Sequence, residues 1–235
     1  MHPVAAFLPY LDPTILILIP GLLLAGWAQS KINSTYRTYS QIPNQRGLTG
    51  AQVARFVLDS AGLKNIVIEP VKGQLTDHYD PRGKILRLSE GVYSNKSVAA
   101  LGIASHEVGH AIQDATNYGP MRLRGAIVPL AAIGGNLSMV LIFLGLFLGG
   151  SGSTMITIGA ILFSVTVIFQ LVTLPVEFNA SQRAIGYLET GILTPQEVEG
   201  AKKVLNAAAW TYIAAAVTGI LSFLRILLLT RGRRR

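Results

Sequence analysis

The stretch "GAIVPLAAIGGNLSMVLIFLGLFLGGSGSTMITIGAILFSVTVIFQLVTLPV", residues 125–176, contains no Asp, Glu, Lys, Arg or His. About 20 apolar residues already cross the hydrocarbon core of a bilayer as a helix, and this run is more than twice that length, so it must hold two spans. The break falls in "GGSGS", residues 149–153, where glycine and serine favour a tight connection. Residues 126–148 and 154–176 are therefore expected to form an antiparallel transmembrane hairpin whose outer ends return to one side.

Working outward, residues 207–229 form a further apolar run interrupted only by Arg225, whose long stem can carry its charge toward the headgroups. Residues 14–28 form a shorter run containing Pro20. With no Lys or Arg before it and no A-x-A site after it, this run reads as a retained anchor, not a cleaved signal. The composition agrees: of 235 residues 50% are hydrophobic and 14% charged, against about 25% charged in soluble proteins. The chain has no cysteine, which excludes disulfides and thiolate chemistry. The net charge of +8 comes mainly from Lys and Arg bordering the spans and from the tail "RGRRR". Anionic lipid headgroups explain such placement, and no nucleic-acid-binding motif accompanies it. The bilayer is thus an expected partner and nucleic acid is not.

Between the first and second spans lies a polar section, residues 31–124, with twelve of the twenty basic residues. Thr49 precedes an amphipathic run with Val53, Phe56, Val57 and Ala61 on one side, and Gly62 stands at the C-terminal cap position. "NIVIEPV" reads as a strand. In "QLTDHYDPRGKILRLS" the Asp-Pro-Arg-Gly turn and the alternation of "KILRLS" predict a hairpin strand over residues 84–89. Ser94, Asn95 and Ser97 offer N-caps for a helix running to about Asp114. Beyond the hairpin, residues 177–189 keep helical character up to Gly191, and "TPQE", residues 194–197, is a capping box opening a helix that continues into the last span. The expected fold is mainly α, with about four transmembrane helices and a small α+β domain. Along the chain this gives an anchor (1–30), the polar domain (31–124), the hairpin (125–176), a helical segment (177–206) and a last helix with its basic tail (207–235).

The polar domain contains "ASHEVGHAIQ", residues 104–113, with two of the chain's four histidines. His106 and His110 at i and i+4 share one helix face, so both imidazoles can reach a single metal ion. Glu107, rotated about 100° from His106, cannot readily share that ion but can flank water beside it, the place a general base needs. Gly109, costly in a helix interior, suggests close approach of another segment. A catalytic zinc site usually takes three protein ligands and keeps one position open. Glu177, which the hairpin returns to the side where the His helix lies, leads the candidates for the third. Asp114, Glu189 and the pair His78 and Asp80 are its rivals, His78 reading better as a hairpin residue.

His106, Glu107, His110, the downstream "EFNAS", "LTDHYDPRGKILRLS" and "NAAAWTYIAAA" together resemble the YugP-type neutral zinc metallopeptidases of bacterial membranes, and more distantly the HtpX-type membrane peptidases, whose second motif is E-x-x-A-D. The resemblance implies a zincin-like α+β domain and one zinc ion per chain, with His106, His110 and Glu177 as ligands, Glu107 as general base, and protein or peptide substrates. It places Ser181 where the wider group has an Asp that orients a ligating histidine. Serine is a weaker acceptor, and Asn179 is an alternative for that task. The resemblance also implies that Lys84, Ile85, Leu86, Arg87 and Leu88 form an edge strand along which extended peptide adds. Arg183 and Tyr187 are candidates for stabilising an oxyanion, and the spacing does not choose between them.

The expected function is a membrane-anchored zinc endopeptidase acting on membrane or misfolded proteins, the rival being a zinc-binding membrane scaffold or accessory subunit without turnover. Residues 31–124 and 177–206 carry fifteen Lys and Arg, so the positive-inside rule turns the zinc domain to the cytoplasmic face of the bacterial inner membrane. The four arginines of "RGRRR" run against that rule if the last helix crosses once.

Overall fold

The structure is a computed structural model and describes residues 13–232. The first residues and the end of the "RGRRR" tail, on which part of the topology argument falls, lie outside the described residues. A short 3-10 turn, Pro13–Leu18, leads into α1 (Ile19–Tyr39). Pro20 stands in the first turn of α1, where its missing N–H costs nothing, and the helix continues well beyond the expected span. Then follow α2 (Gly50–Ser60), β1 (Val67–Val71), β2 (His78–Asp80), β3 (Ile85–Ser89), α3 (Glu90–Tyr93) and α4 (Val98–Ala115). The chain ends in three long helices, α5 (Gly119–Phe147), α6 (Ser153–Leu188) and α7 (Pro195–Gly232). Among the described residues, four helices are long and apolar enough to cross a membrane, as the hydropathy of the sequence required.

Two compact units are distinguished by their internal contacts. One comprises, of the described residues, 13–27, 124–171 and 212–232. Its helices expose large apolar side chains such as Phe143 (72%) and Phe147 (83%), which suits hydrocarbon and would be unfavourable in water. The expected break at "GGSGS" is a 3-10 turn, Gly149–Gly152. A Cβ on Gly152 would strike the backbone of Gly145, so the absence of side chains is what lets the hairpin close so tightly.

The other unit comprises residues 28–123 and 172–211 and contains the main hydrophobic core. Val53, Ala54, Val57 and Leu58 of α2, Leu86 and Leu88 of β3, and Leu101, Ala104 and Val108 of α4 meet in it. Phe56, expected on the buried side of α2, is 52% exposed. The 3.6-residue period puts it at the flank of the stripe that Val53 and Val57 define, and Ala54 and Leu58 fill the core instead. The caps follow the sequence. Thr49 and Gln52 make a reciprocal capping box at α2, Ser97 accepts from the Ala100 N–H at α4, and Glu197 accepts from Thr194 N–H at 2.8 Å. Gly62 takes positive φ at C′ of α2, and Gly191 does so in the turn that follows α6.

The sheet corrects one expectation. Its strand order is β1-β3-β2, with β1 parallel and β2 antiparallel to β3. The strand carrying Ile85, Leu86, Arg87 and Leu88 is therefore the central one, and both its edges are already hydrogen-bonded, so it cannot add a peptide. Leu86 and Leu88 are buried, Arg87 reaches Glu69 and Asp80, and Lys84 is a turn residue with positive φ whose ammonium pairs with Asp114. The alternation of "KILRLS" identified a strand correctly. It could not reveal that the more distant "VIEPV" would dock along its second side, since parallel pairing is non-local.

Leu101 is fully buried at the centre of this core. Leu101→Ala should cost about 2–5 kcal/mol of stability, measurable as an earlier unfolding transition of the detergent-solubilised protein.

Candidate metal centre

The His pair lies on α4, whose other face builds the core, so both rings are held by packing on a rigid element. Their centroids are 4.8 Å apart and their planes stand at 83°. A second helix, α6, completes the group. Glu177 Oε2 lies 3.2 Å from His106 Nε2 and 3.6 Å from His110 Nε2. One ligand atom from each of the three falls within 4.8 Å of the others.

Gly109 explains how two helices can approach this closely. A Cβ at that position would collide with the backbone of Ala180, whose Cα would be only 3.0 Å away. Ala180 is one turn beyond Glu177, so the bare backbone of Gly109 brings Glu177 and Ser181 onto the histidines.

These donors fit zinc. Ligands about 2.0–2.1 Å from a tetrahedral ion are roughly 3.3 Å from one another, which matches the two Nε2 to Oε2 spacings. Two imidazole nitrogens and one carboxylate also form a three-ligand set of the kind that leaves a fourth position open. Glu177 is only 3% exposed, and a carboxylate so buried requires positive partners or a metal. Burial works against a charged His110. Hydrogen bonding to Glu177 and the charges of Glu107 and Glu177 outweigh it, and the pKa of His110 lies above the usual histidine value. Glu107 is partly exposed and does not belong to the three-residue group, in keeping with its rotation around α4.

Both rings are held from behind. His106 Nδ1 is 3.0 Å from Ser181 Oγ, so the serine stands where the resemblance put an orienting residue. His110 Nδ1 is 3.0 Å from Gln113 Oε1, a contact that the sequence reading missed. Gln113 stands three residues after His110 on the same helix, in the same ten-residue stretch, and that spacing was the available signal. Asn179 does not touch either histidine through a described hydrogen bond. Its Oδ1 accepts from Gln113 Nε2 at 3.1 Å and from Arg183 Nε at 2.8 Å. Tyr187 packs against the hydrophobic core.

The rival ligands are engaged elsewhere. Asp114 accepts from the Tyr79 hydroxyl at 2.8 Å and pairs with Lys84, and burial followed by this bond pushes the Tyr79 pKa up. Glu189 pairs with Lys202 at 2.8 Å. His78 is exposed with Nδ1 on Thr76 O, and Asp80 accepts from the N–H groups of Arg82 and Gly83 in the turn.

Fold and site together describe a membrane protein with a small α+β unit that presents two histidines and a glutamate to one point. The chain belongs to the family described as "Putative neutral zinc metallopeptidase", which matches residues 14–231. It is also similar to the "Putative membrane protease YugP" of Bacillus subtilis (strain 168), with 44% identity over 221 residues, 93% of this chain and 97% of that protein. No solved structure matches it.

Gly109→Ala should separate α4 from α6 and lower the zinc content of the purified protein. Gly186→Ala, on α6 with open space around its Cα, should leave zinc content unchanged. Equal zinc in both variants would show that the close approach at Ala180 does not set the spacing of the group.

Proposed function

We propose that the protein is a membrane-anchored, zinc-dependent endopeptidase that cleaves peptide bonds of membrane or misfolded proteins. The observation that carries this reading is the convergence of His106, His110 and Glu177 on one point, with Glu107 beside the pair. In this reading the three hold one zinc ion per chain. Zinc bound there supplies a Lewis acid for the scissile carbonyl and acidifies water toward a pKa of about 7.

The residues of the chain do the rest. His106 and His110 present Nε2 to the ion because Ser181 and Gln113 occupy their Nδ1 sides. Glu107, one position along α4 from His106 and partly open to solvent, takes a proton from the attacking water and returns it to the leaving amine. For the developing oxyanion, the terminal guanidinium nitrogens of Arg183 and the hydroxyl of Tyr187 are the donors to compare. Glu177 follows the apolar run 125–176 directly, which supports membrane proteins as substrates. The fifteen Lys and Arg of residues 31–124 and 177–206 support a cytoplasmic orientation in the bacterial inner membrane.

Glu107→Gln should keep its zinc and lose about 10²–10⁴-fold of cleavage activity on an unfolded protein substrate, while Glu177→Ala should lose zinc. Equal zinc with undiminished cleavage would remove Glu107 from the mechanism. No cleavage by either the parent or Glu107→Gln would favour the zinc-binding scaffold or accessory subunit. For orientation, a compartment-sensitive reporter inserted beside Lys64 should signal from the cytoplasm, and a signal from outside would reverse the assignment.

A further inference from the structure

We infer that Gln113 is the positioning residue that fixes which nitrogen of His110 carries the proton, and that its own orientation is dictated by two oxygens on α6. The inference rests on the zinc reading of the site.

Gln113 is fully buried, and its amide makes three contacts of unequal kind. Nε2 donates to the Val176 carbonyl at 2.7 Å and to Asn179 Oδ1 at 3.1 Å, while Oε1 faces His110 Nδ1 at 3.0 Å. The Val176 carbonyl can only accept. Asn179 could in principle present either end of its amide, but Arg183 Nε lies 2.8 Å from it. A guanidinium has donors and no acceptor, so the Asn179 atom on that side must be oxygen. Two acceptors therefore hold the Gln113 amide with its nitrogen toward α6. Turning it over would lose both donations and set oxygen against oxygen around a fully buried side chain, a cost of about 1–3 kcal/mol for each unsatisfied group.

With Oε1 fixed toward His110, only the tautomer with a proton on Nδ1 completes the contact. Nε2, on the Glu177 side at 3.6 Å, is left with its lone pair toward the metal position. The chain Arg183, Asn179, Gln113, His110 thus converts a permanent cation at its outer end into a bare nitrogen at its inner end.

His106 differs. Its Nδ1 partner, the Ser181 hydroxyl, can donate or accept and so tolerates either tautomer. The Val176 carbonyl that Gln113 grips also belongs to the peptide bond of Glu177, so one amide holds a histidine ring and the backbone of the carboxylate ligand together. Arg183 thereby gains a role that the sequence did not assign to it, and Asn179 acts on a histidine through Gln113 and not directly.

The test uses full-length protein in detergent, with nitrogen NMR of labelled histidine on the metal-free form at alkaline pH, and zinc affinity by competition with a chelator. The chain has only four histidines, so His110 is assigned by a single substitution. Wild type should show His110 as the Nδ1–H tautomer. Gln113→Met, which keeps the shape and removes the acceptor, should give a mixture of tautomers and bind zinc about 10- to 100-fold more weakly. Gln113→Glu, which keeps an acceptor facing the ring, should retain the Nδ1–H tautomer and recover part of the affinity, a rescue that a purely packing role would not produce. Arg183→Met, altered outside the buried cluster, should populate the second tautomer and weaken zinc severalfold, and it stands in if Gln113→Met does not fold. An unchanged tautomer and affinity in the variants that fold would overturn the inference. Loss of the Glu107→Gln effect with zinc still bound would count against the peptidase reading alone.

Discussion

Backbone contact between α4 and α6, Gly109 against Ala180, is the constraint on which the site depends. Helices normally pack 8–10 Å apart because side chains stand between them. At this crossing one side chain is absent, and the neighbouring turns deliver His106 and His110 from one helix and Glu177 and Ser181 from the other. The helix pays for an interior glycine with about 1 kcal/mol of propensity. That cost is offset where the same glycine allows a buried carboxylate to reach two imidazoles.

Burial of Glu177 follows from this geometry. A carboxylate taken out of water is tolerable only with compensating partners, and the two Nε2 atoms at 3.2 and 3.6 Å supply them. The surrounding hydrogen bonds then use up the remaining polar groups. Ser181 backs one ring and Gln113 the other, and Asn179 with Arg183 satisfies Gln113. A network in which each member has a partner suits a low-dielectric site, where an unpaired group is costly.

Much of the fold could be read because its signals are local. The charge-free run 125–176 and the glycine-rich break within it announced a helical hairpin, and capping residues Thr49, Ser97 and Thr194 marked helix starts that the structure reproduces. The two misreadings have non-local causes. Phe56 stands at the flank of the α2 stripe, and packing against α4 and the sheet, not local periodicity, decides that it stays exposed. The edge that the family resemblance implies at Lys84 to Leu88 is closed by β1, whose parallel pairing with β3 no local pattern records.

The sequence by itself determined the chemistry available: two histidines and a glutamate on one helix, four apolar segments, and no cysteine to compete. Periodicity and residue type suffice for these, since they depend on neighbours within a turn or two. The tertiary structure decided which of the remaining acidic residues joins the histidines, because Asp114, Glu189 and Asp80 were each compatible with the spacing and each turned out to have other partners. It also decided what stands behind each ring. Gln113 touches Val176 and Asn179 more than sixty residues away, and contacts across such distances depend on how α4 and α6 pack, which no local pattern records.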